Sequence, residues 1–395
     1  MMSSARAETL TLSDVVERAL KQSTALEIQR RVIQEAEGVK MDVGLLPNPL
    51  LEYSREDLSQ AGLSGGEWYA GTSMPMAFIW MRGPDKRAAS TRIQAEMLAF
   101  NHLQDQIRFD VQKAFVEYHF MRQKHLVWQS VSALFASALK TGNLRHSEGD
   151  ISKYEQQRIA LEALRYARLE AESLAERNKY RRKLAFYLNA KTLEDHFETV
   201  LEDPNIEIEI NLDVAIMGAL AHRSDLKAFV AFVQASQEAV VAAKRKSISE
   251  ANLAFGFKRQ EDGFKGTVLK AEFGLPIFDR NQGKVKIAQS VFEQQRLTST
   301  LLEKKVRVEV ADAFDQYSLY AQQVKQFEKA NVSPDSILDI ARFAYEEGDM
   351  SLIEMFDGLQ AYSEAFLSRL DVFQAYHMSR FGLEKAIGQS LSQLK

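Results

Sequence analysis

Residues 111–118 read VQKAFVEY and residues 310–317 read VADAFDQY, so Val, Ala, Phe and Tyr recur at one spacing, 199 positions apart. Three further pairs of segments follow in the same order at nearly the same offset: Leu12–Leu20 with Leu212–Leu220, Met74–Met76 with Leu275–Ile277, and Gly149–Ser152 with Gly348–Ser351. A fixed period of this kind marks a duplicated architecture. The chain is therefore predicted to hold two copies of a unit of roughly 200 residues.

The repeat predicts the division of the chain. We place the first copy at residues 12–195 and the second at 212–390, with a linker at 196–211. Residues 1–11 are interpreted as the remnant of an export signal or a flexible N-terminus, because Ala5-Arg6-Ala7 matches the end of a secretory signal. The apolar core of such a signal is missing, so a chance match explains this tripeptide equally well.

Each copy is predicted to run from helices through a strand hairpin into a long helical hairpin. Strand hairpins are expected at about 50–76 and 251–276, with turns at 57–66 and at Asp262-Gly263. The long helices are expected at 84–141, 152–189, 284–343 and 350–389, and tip loops at about 142–151 and 344–351. A 3-4 apolar stripe through the first long helix is typical of coiled-coil packing.

The predicted strands have one apolar and one polar face. Leu253, Phe255 and Phe257 alternate with small or polar residues, while Lys258, Lys270 and Glu272 fall on the opposite face. This period of two fits a membrane barrel whose polar face lines water. On that interpretation the two lysines and Glu272 line the barrel. A soluble bundle capped by two hairpins would show the same alternation.

Four strands are too few to close a barrel, and an open sheet edge in lipid leaves backbone groups unpaired at several kcal/mol each. Several chains must therefore pool their strands if the sheet crosses a membrane. Three chains would supply twelve strands, enough for an aqueous channel. Two or four chains would also close, so the patterning leaves the number open.

The composition narrows the possible functions. The chain has 395 residues, a net charge of -4 and no cysteine. These values exclude disulfides and thiolate chemistry and give no reason to expect a nucleic-acid partner. We expect no metal site, no cofactor and no enzymatic activity, because the seven histidines are scattered and no catalytic motif stands out. No stretch approaches the length that a membrane-spanning helix requires, which is about 18 uncharged apolar residues. If the chain crosses a membrane, it would therefore do so as a barrel.

Further motifs occur in a consistent order between Leu10 and Gly388. They are Gly44-Leu45-Leu46-Pro47-Asn48-Pro49, Leu275-Pro276-Ile277-Phe278-Asp279-Arg280-Asn281-Gln282-Gly283, and Tyr345-x-x-Gly348-x-x-Ser351-x-x-Glu354-x-x-Asp357. Together they resemble the TolC-like outer membrane efflux factors. The segment from Asp279 to Gly283 resembles the CzcC-like heavy-metal branch of that family.

The resemblance implies a mainly α fold with a small membrane β-barrel portion. It implies a homotrimer in outer-membrane lipid, with a twelve-stranded barrel and a long helical tunnel in the periplasm. Residues 196–211 would form an equatorial girdle around this tunnel. A periplasmic adaptor protein and an inner-membrane resistance-nodulation-division (RND) pump would be the partners. The cargo would be heavy-metal cations, with drugs or secreted protein as the alternative, and a soluble long-helix scaffold is the alternative of a different class.

The resemblance also assigns roles to residues at the tip. The adaptor would contact the two tip loops at Gly149, Asp150, Ser152, Gly348, Asp349 and Ser351. Ordinary helix capping explains the same glycines, aspartates and serines. Both explanations can hold together.

A periplasmic gate is the second implied site. Glu354 and Asp357 lie three apart, hence on one helix face. In a trimer they would form a ring of carboxylates that attracts cations and raises the carboxyl pKa values. Tyr345 and Glu155 would form a latch, with Arg158 as another candidate partner. A solvated helix face is the alternative for the two acids.

Overall fold

The computed structural model describes residues 8–60, 63–189, 197–201, 210–248, 250–330, 340, 343–344 and 349–393. The fold is mainly helical with a small antiparallel sheet. The elements in the first half are β1 (Glu8–Thr11), α1 (Leu12–Gln22), α2 (Thr24–Asp42), β2 (Leu50–Gln60), β3 (Leu63–Pro75), α3 (Phe78–Glu148), α4 (Lys153–Tyr187) and β4 (Phe197–Val200). Those in the second half are α5 (Leu212–His222), α6 (Ser224–Arg245), β5 (Ala251–Gln260), β6 (Lys265–Phe273), α7 (Gln282–Ala330), α8 (Leu352–Ile387) and a 3-10 turn at Leu391–Gln393.

The opening helix of each copy is divided in two. Thr11 caps α1. Its hydroxyl accepts a hydrogen bond from the Asp14 amide, and the Asp14 carboxylate accepts one from the Thr11 amide. The helical region that starts at Leu12 breaks at Ser23, and the one that starts at Leu212 breaks at Arg223. The helix–helix–strand–strand order thus occurs in both halves of the chain.

The first long helix extends beyond its predicted bounds at both ends. It starts six residues before Pro84, which lies in its second turn, and it continues through Gly142 to Glu148. A Cβ at Gly142 would come within 2.6 Å of Ile159 Cδ1, so this glycine allows α3 and α4 to approach closely. The prediction of a loop from residue 142 was therefore wrong, because the glycine serves packing between helices.

Four strands form one antiparallel sheet in the order β2-β3-β5-β6. The ladder of the first hairpin continues to the pair Gln60 and Leu63, so most of the turn predicted at 57–66 is strand. The second turn is where it was expected, with Gly263 at φ 95°. The contact between β3 and β5 joins the two hairpins into a single surface.

The linker region contributes a second, smaller sheet. Strand β4 pairs in parallel with β1, and Glu8 lies opposite Phe197. Ordered structure thus begins before Leu12. Ala5-Arg6-Ala7, most of the predicted linker and the positions of Tyr345 and Gly348 lie outside the described residues.

The chain forms two compact units, each built from segments of both halves. The first comprises residues 1–26, 103–223 and 306–395. One of its cores surrounds Phe115 and Leu184, and another surrounds Phe135, Ile159 and Leu359. The second unit comprises residues 27–102 and 224–305 and contains the four-stranded sheet.

One helix of the second unit bears on the expectation of no membrane-spanning helix. Helix α6, with 22 residues and a mean hydropathy of 1.2, is long and apolar enough to cross a membrane by length and composition. Its charged residues are Asp225, Lys227, Glu238, Lys244 and Arg245, so residues 228–237 carry no charge. This is weak evidence for a span, since a core helix passes the same test. Ala228, Ala231, Ala235 and Ala242 of α6 are buried within the fold.

Candidate functional site

The four-stranded sheet exposes an apolar face. Rows across the strands show which residues share it: Leu51 lies opposite Thr72, Thr72 opposite Phe255, and Phe255 opposite Leu269. Leu51 is 89% exposed and Leu269 is 73% exposed. A soluble bundle capped by these hairpins would bury this face. An apolar surface running across four strands instead marks a site of contact with lipid or protein.

The opposite face is polar and internally paired. Lys258 Nζ lies 2.5 Å from Glu67 Oε2, and Lys270 Nζ lies 2.6 Å from Glu272 Oε1. Ser73 Oγ donates to Glu52 Oε1 at 2.5 Å. The sheet brings together all three residues predicted to line a barrel, on one face. That face suits water and not lipid.

Tyr69 covers two glycines on the polar face, a feature that the sequence reasoning missed. Gly71 and Gly256 are direct partners in the ladder between β3 and β5. A Cβ on Gly256 would come within 2.5 Å of the Tyr69 ring, and one on Gly71 within 2.2 Å of its hydroxyl. Both glycines are therefore required by the ring. The available signal was a pair of glycines flanked by an aromatic residue in adjacent strands.

The apolar face ends in a charged row near the turns. Arg55 lies opposite Trp68, Trp68 opposite Arg259, and Arg259 opposite Lys265. Arg55 forms an ion pair with Asp57 at 3.0 Å. Aromatic and basic residues are enriched where a barrel meets the membrane surface. Arg55 therefore does not break the apolar band, because it stands at its border.

The outer edges of the sheet carry no further strand in the part of the chain that the structure describes. These edges belong to β2, with 11 residues, and β6, with 9 residues. A long unpaired edge is a template for pairing with another chain. Both edges are therefore available for pairing with a strand of another chain.

The tip between α3 and α4 is a capped helical turn. Gly149 has φ 88°, and the amide of Asp150 donates to the Arg145 carbonyl at 2.8 Å. Ser152 then caps α4, where Glu155 Oε2 accepts from the Ser152 amide at 2.8 Å. The three residues assigned to adaptor contact on this side therefore have capping roles.

Helix α8 begins with the same cap. Ser351 accepts from the Glu354 amide, and Glu354 Oε2 accepts from the Ser351 amide at 2.9 Å. The hydrogen bond from the Ser351 hydroxyl, followed by that from its amide, lowers the pKa of Glu354. In the single chain this direction is opposite to the rise expected for a ring of carboxylates. Asp349 and Asp357 are exposed beside this cap.

Glu155 and Arg158, the two proposed latch residues that the structure describes, both lie at the start of α4 and have other contacts. The hydrogen bonds from the Ser152 amide and hydroxyl lower the pKa of Glu155, which serves the cap of α4. Arg158 lies over the Phe356 ring at 5.8 Å, and it forms no ion pair with Asp357 among the described residues. Phe356 belongs to the core that joins α3, α4 and α8. Arg158 thus contacts an aromatic ring next to the proposed gate.

The segment that suggested the heavy-metal branch builds the junction between β6 and α7. Asp279 Oδ1 accepts from the Asn281 amide, and Asn281 Nδ2 donates to the Ala243 carbonyl, both at 2.8 Å. Asn281 adopts φ 57°, a conformation that favours asparagine among larger residues. These side chains shape the turn. Within the described residues, no group of three or more potential ligands could hold a metal ion.

Comparisons with known proteins bear on the fold. No protein-family model matches the sequence, and no curated protein matches it. Solved structures do match. The CmeC outer membrane channel of Campylobacter jejuni has a TM-score of 0.79 at 16% identity, covering 97% of this chain and 88% of CmeC. CusC, whose structures concern transmembrane channel formation, has a TM-score of 0.74 at 15% identity, covering 99% and 95%.

A third structure, the open state of the MtrE outer membrane channel of Neisseria gonorrhoeae, has a TM-score of 0.70 at 16% identity and covers 99% of this chain and 94% of MtrE. The chain has the fold of outer-membrane channels. This outer-membrane-channel fold combines long helices with a small sheet, as the sequence predicted.

Proposed function

We propose that this chain is one of three that form a passive outer-membrane exit duct. The observation that carries the proposal is the two-sided sheet, apolar and exposed on one face and polar with paired charges on the other. Three such sheets, joined edge to edge through β2 and β6, would close a barrel of twelve strands. The shared fold with solved outer-membrane channels supports the same arrangement.

The helices also favour association between copies. Ile287, Leu297 and Leu301 of α7 are exposed apolar residues. Tyr154, Leu161 and Leu164 are exposed on α4. Burying such residues against a neighbouring chain would stabilise an oligomer by about 1.5–3 kcal/mol for each one fully buried. In this proposal the helices of three chains enclose the periplasmic tunnel.

The duct would work with a periplasmic adaptor and an inner-membrane RND pump. The capped tips at Gly149–Ser152 and Asp349–Ser351 would meet the adaptor, and Glu354 with Asp357 would line the gate. Heavy-metal cations are the proposed cargo, a choice supported by the Asp279–Gly283 resemblance. Drugs or secreted protein are the alternative cargo, since a passive path need not be specific. No step of this function requires catalysis by the chain.

The mass of the particle tests the duct. Purified in mild detergent, the protein should run as three chains of 44.8 kDa each and should precipitate when the detergent is removed. A monomer that stays in solution without detergent would contradict the duct and favour the soluble scaffold.

A second experiment tests the cargo: expression in cells that lack their own duct should restore tolerance to heavy-metal cations. Restored tolerance to drugs alone would favour the alternative.

A further inference from the structure

We propose that a groove between α6 and α7 binds the headgroup of an anionic phospholipid. The groove measures about 600 Å³, and its lining includes Lys244, Lys286, Val240, Val241 and Phe292. It lies at the end of α6 from which the chain enters β5. The inference rests on the proposed function, because it assumes that the sheet is inserted in a membrane.

The two lysines of the groove are not paired with acidic residues in the described part of the chain. Lys244 and Lys286 are both exposed, and neither forms an ion pair in the described part of the chain. Glu293 also lines the groove, but Arg296 holds its carboxylate at 2.9 Å. Both ammonium groups are therefore accessible to a partner outside the chain.

The start of α7 adds to this positive potential. Its first turn contains no acidic residue, and Lys284 and Lys286 follow closely. A helix N-terminus carries a partial positive charge, so lysines there are unfavourable by themselves. An external anion would compensate both the lysines and the helix terminus.

Apolar residues stand between this groove and the sheet. Phe278 is 90% exposed, and Leu275 and Ile277 are exposed beside it. Asn281 ties their loop to α6, through its hydrogen bond to the Ala243 carbonyl. Along the chain, the apolar sheet face at Phe273 is followed by the apolar loop and then by the lysines. A bilayer presents hydrocarbon, interface and headgroup in the same order.

The first copy of the repeat differs at the corresponding junction. Arg87 pairs with Glu238 at 3.4 Å, and Asp85 pairs with Lys246 at 3.2 Å. Arg87 and Asp85 are thus paired at that junction, whereas Lys86 between them is exposed and forms no ion pair among the described residues. An anionic phospholipid is the partner whose charge fits Lys244 and Lys286 and whose apolar tails fit the neighbouring loop.

Native mass spectrometry of the full chain in detergent tests the proposal. The protein is incubated with phosphatidylglycerol or with phosphatidylcholine, and the retained lipid is counted. We expect retention of phosphatidylglycerol over phosphatidylcholine, and a loss of at least about tenfold in that preference for the Lys244→Gln/Lys286→Gln variant. The matched control is Lys227→Gln/Lys304→Gln, which removes one exposed lysine from each of the same two helices, roughly 25 Å farther along each axis. It should keep the preference.

Three results would overturn the inference: no preference in the unaltered protein, an equal loss in both variants, or displacement of the lipid by inorganic phosphate. The last would indicate a site for a free anion. If any of these results is obtained with a protein that is a trimer and needs detergent, the lipid site is refuted and the proposed duct stands. A protein that is monomeric and soluble without detergent would instead refute the proposed duct.

Discussion

Tyr69 shows how single residues determine the polar face of the sheet. Its ring occupies the space above Gly256, where a Cβ would lie within 2.5 Å of the ring. We expect Gly256→Ala to destabilise the protein by about 1–3 kcal/mol, because the ring must move out of its place. Gly266→Ala is the matched control, since nothing lies within 4 Å of a Cβ there.

The measurement is thermal unfolding in detergent for Gly256→Ala, Tyr69→Ser and the double variant. If the collision is the cause, the double variant should be more stable than the sum of the two single effects predicts. Equal destabilisation by Gly256→Ala with and without Tyr69 would show that the ring is not responsible.

His377 gives the fold a dependence on pH. It is buried beside Phe120 and Phe381, and this burial, with Arg380 and His119 nearby, lowers its pKa to about 4. A histidine in an unfolded chain has a pKa of about 6.5. The unfolded state therefore binds more protons between these values. Stability is fully present above pH of about 6.5 and falls as the pH drops toward 4, by up to roughly 3 kcal/mol.

Urea unfolding at a series of pH values measures this loss. His377→Gln should flatten the slope in that window, whereas His222→Gln, at an exposed position, should leave it unchanged. A slope that survives in His377→Gln would assign the proton uptake to another group, such as His119, whose pKa burial also lowers.

At the scale of elements, the capping residues Ser152 and Ser351 stabilise the N-termini of α4 and α8. Ser351→Ala removes the hydroxyl that accepts from Glu354, so we expect a loss of about 1 kcal/mol in the free energy of unfolding. Ser152→Ala should cost a similar amount. Ser130→Ala, in the exposed middle of α3, should be close to neutral, because that hydroxyl bonds only to its own helix.

Asp357→Asn tests the proposed gate without changing the cap at the start of α8. It removes a carboxylate from the same helix face and leaves the bonds between Ser351 and Glu354 intact. Stability should therefore be unchanged, while the preference of the open channel for cations over anions should fall in a planar bilayer. A loss of stability equal to that of Ser351→Ala would make Asp357 a structural residue.

Local patterns predicted the elements well where one signal acted alone. The alternation in β5 and β6 predicted both strands and their faces. Gly142 was misread because glycine serves both loops and close helix contacts, and only the position of Ile159 decides between them. The contact of Arg158 with Phe356 could not be predicted from local patterns, because it depends on how three helices pack.

At the scale of the whole molecule, the membrane assignment depends on which face of the sheet meets lipid. Leu269 and Val268 are neighbours in β6 whose side chains point to opposite faces. Leu269→Arg would place a charge among Leu51, Phe255 and other exposed apolar residues. In a membrane this should cost about 2–4 kcal/mol near the bilayer centre, whereas Val268→Arg would face water and cost much less.

The fraction of protein recovered as trimer from the outer-membrane fraction measures the difference. We expect a strong loss for Leu269→Arg and near-normal recovery for Val268→Arg. The two substitutions add the same side chain one residue apart, so a general effect on strand formation would reduce both alike. If the apolar face met water instead, Leu269→Arg would lie in solvent and the two variants would be recovered alike. The order of the two variants therefore decides between lipid and water at the apolar face.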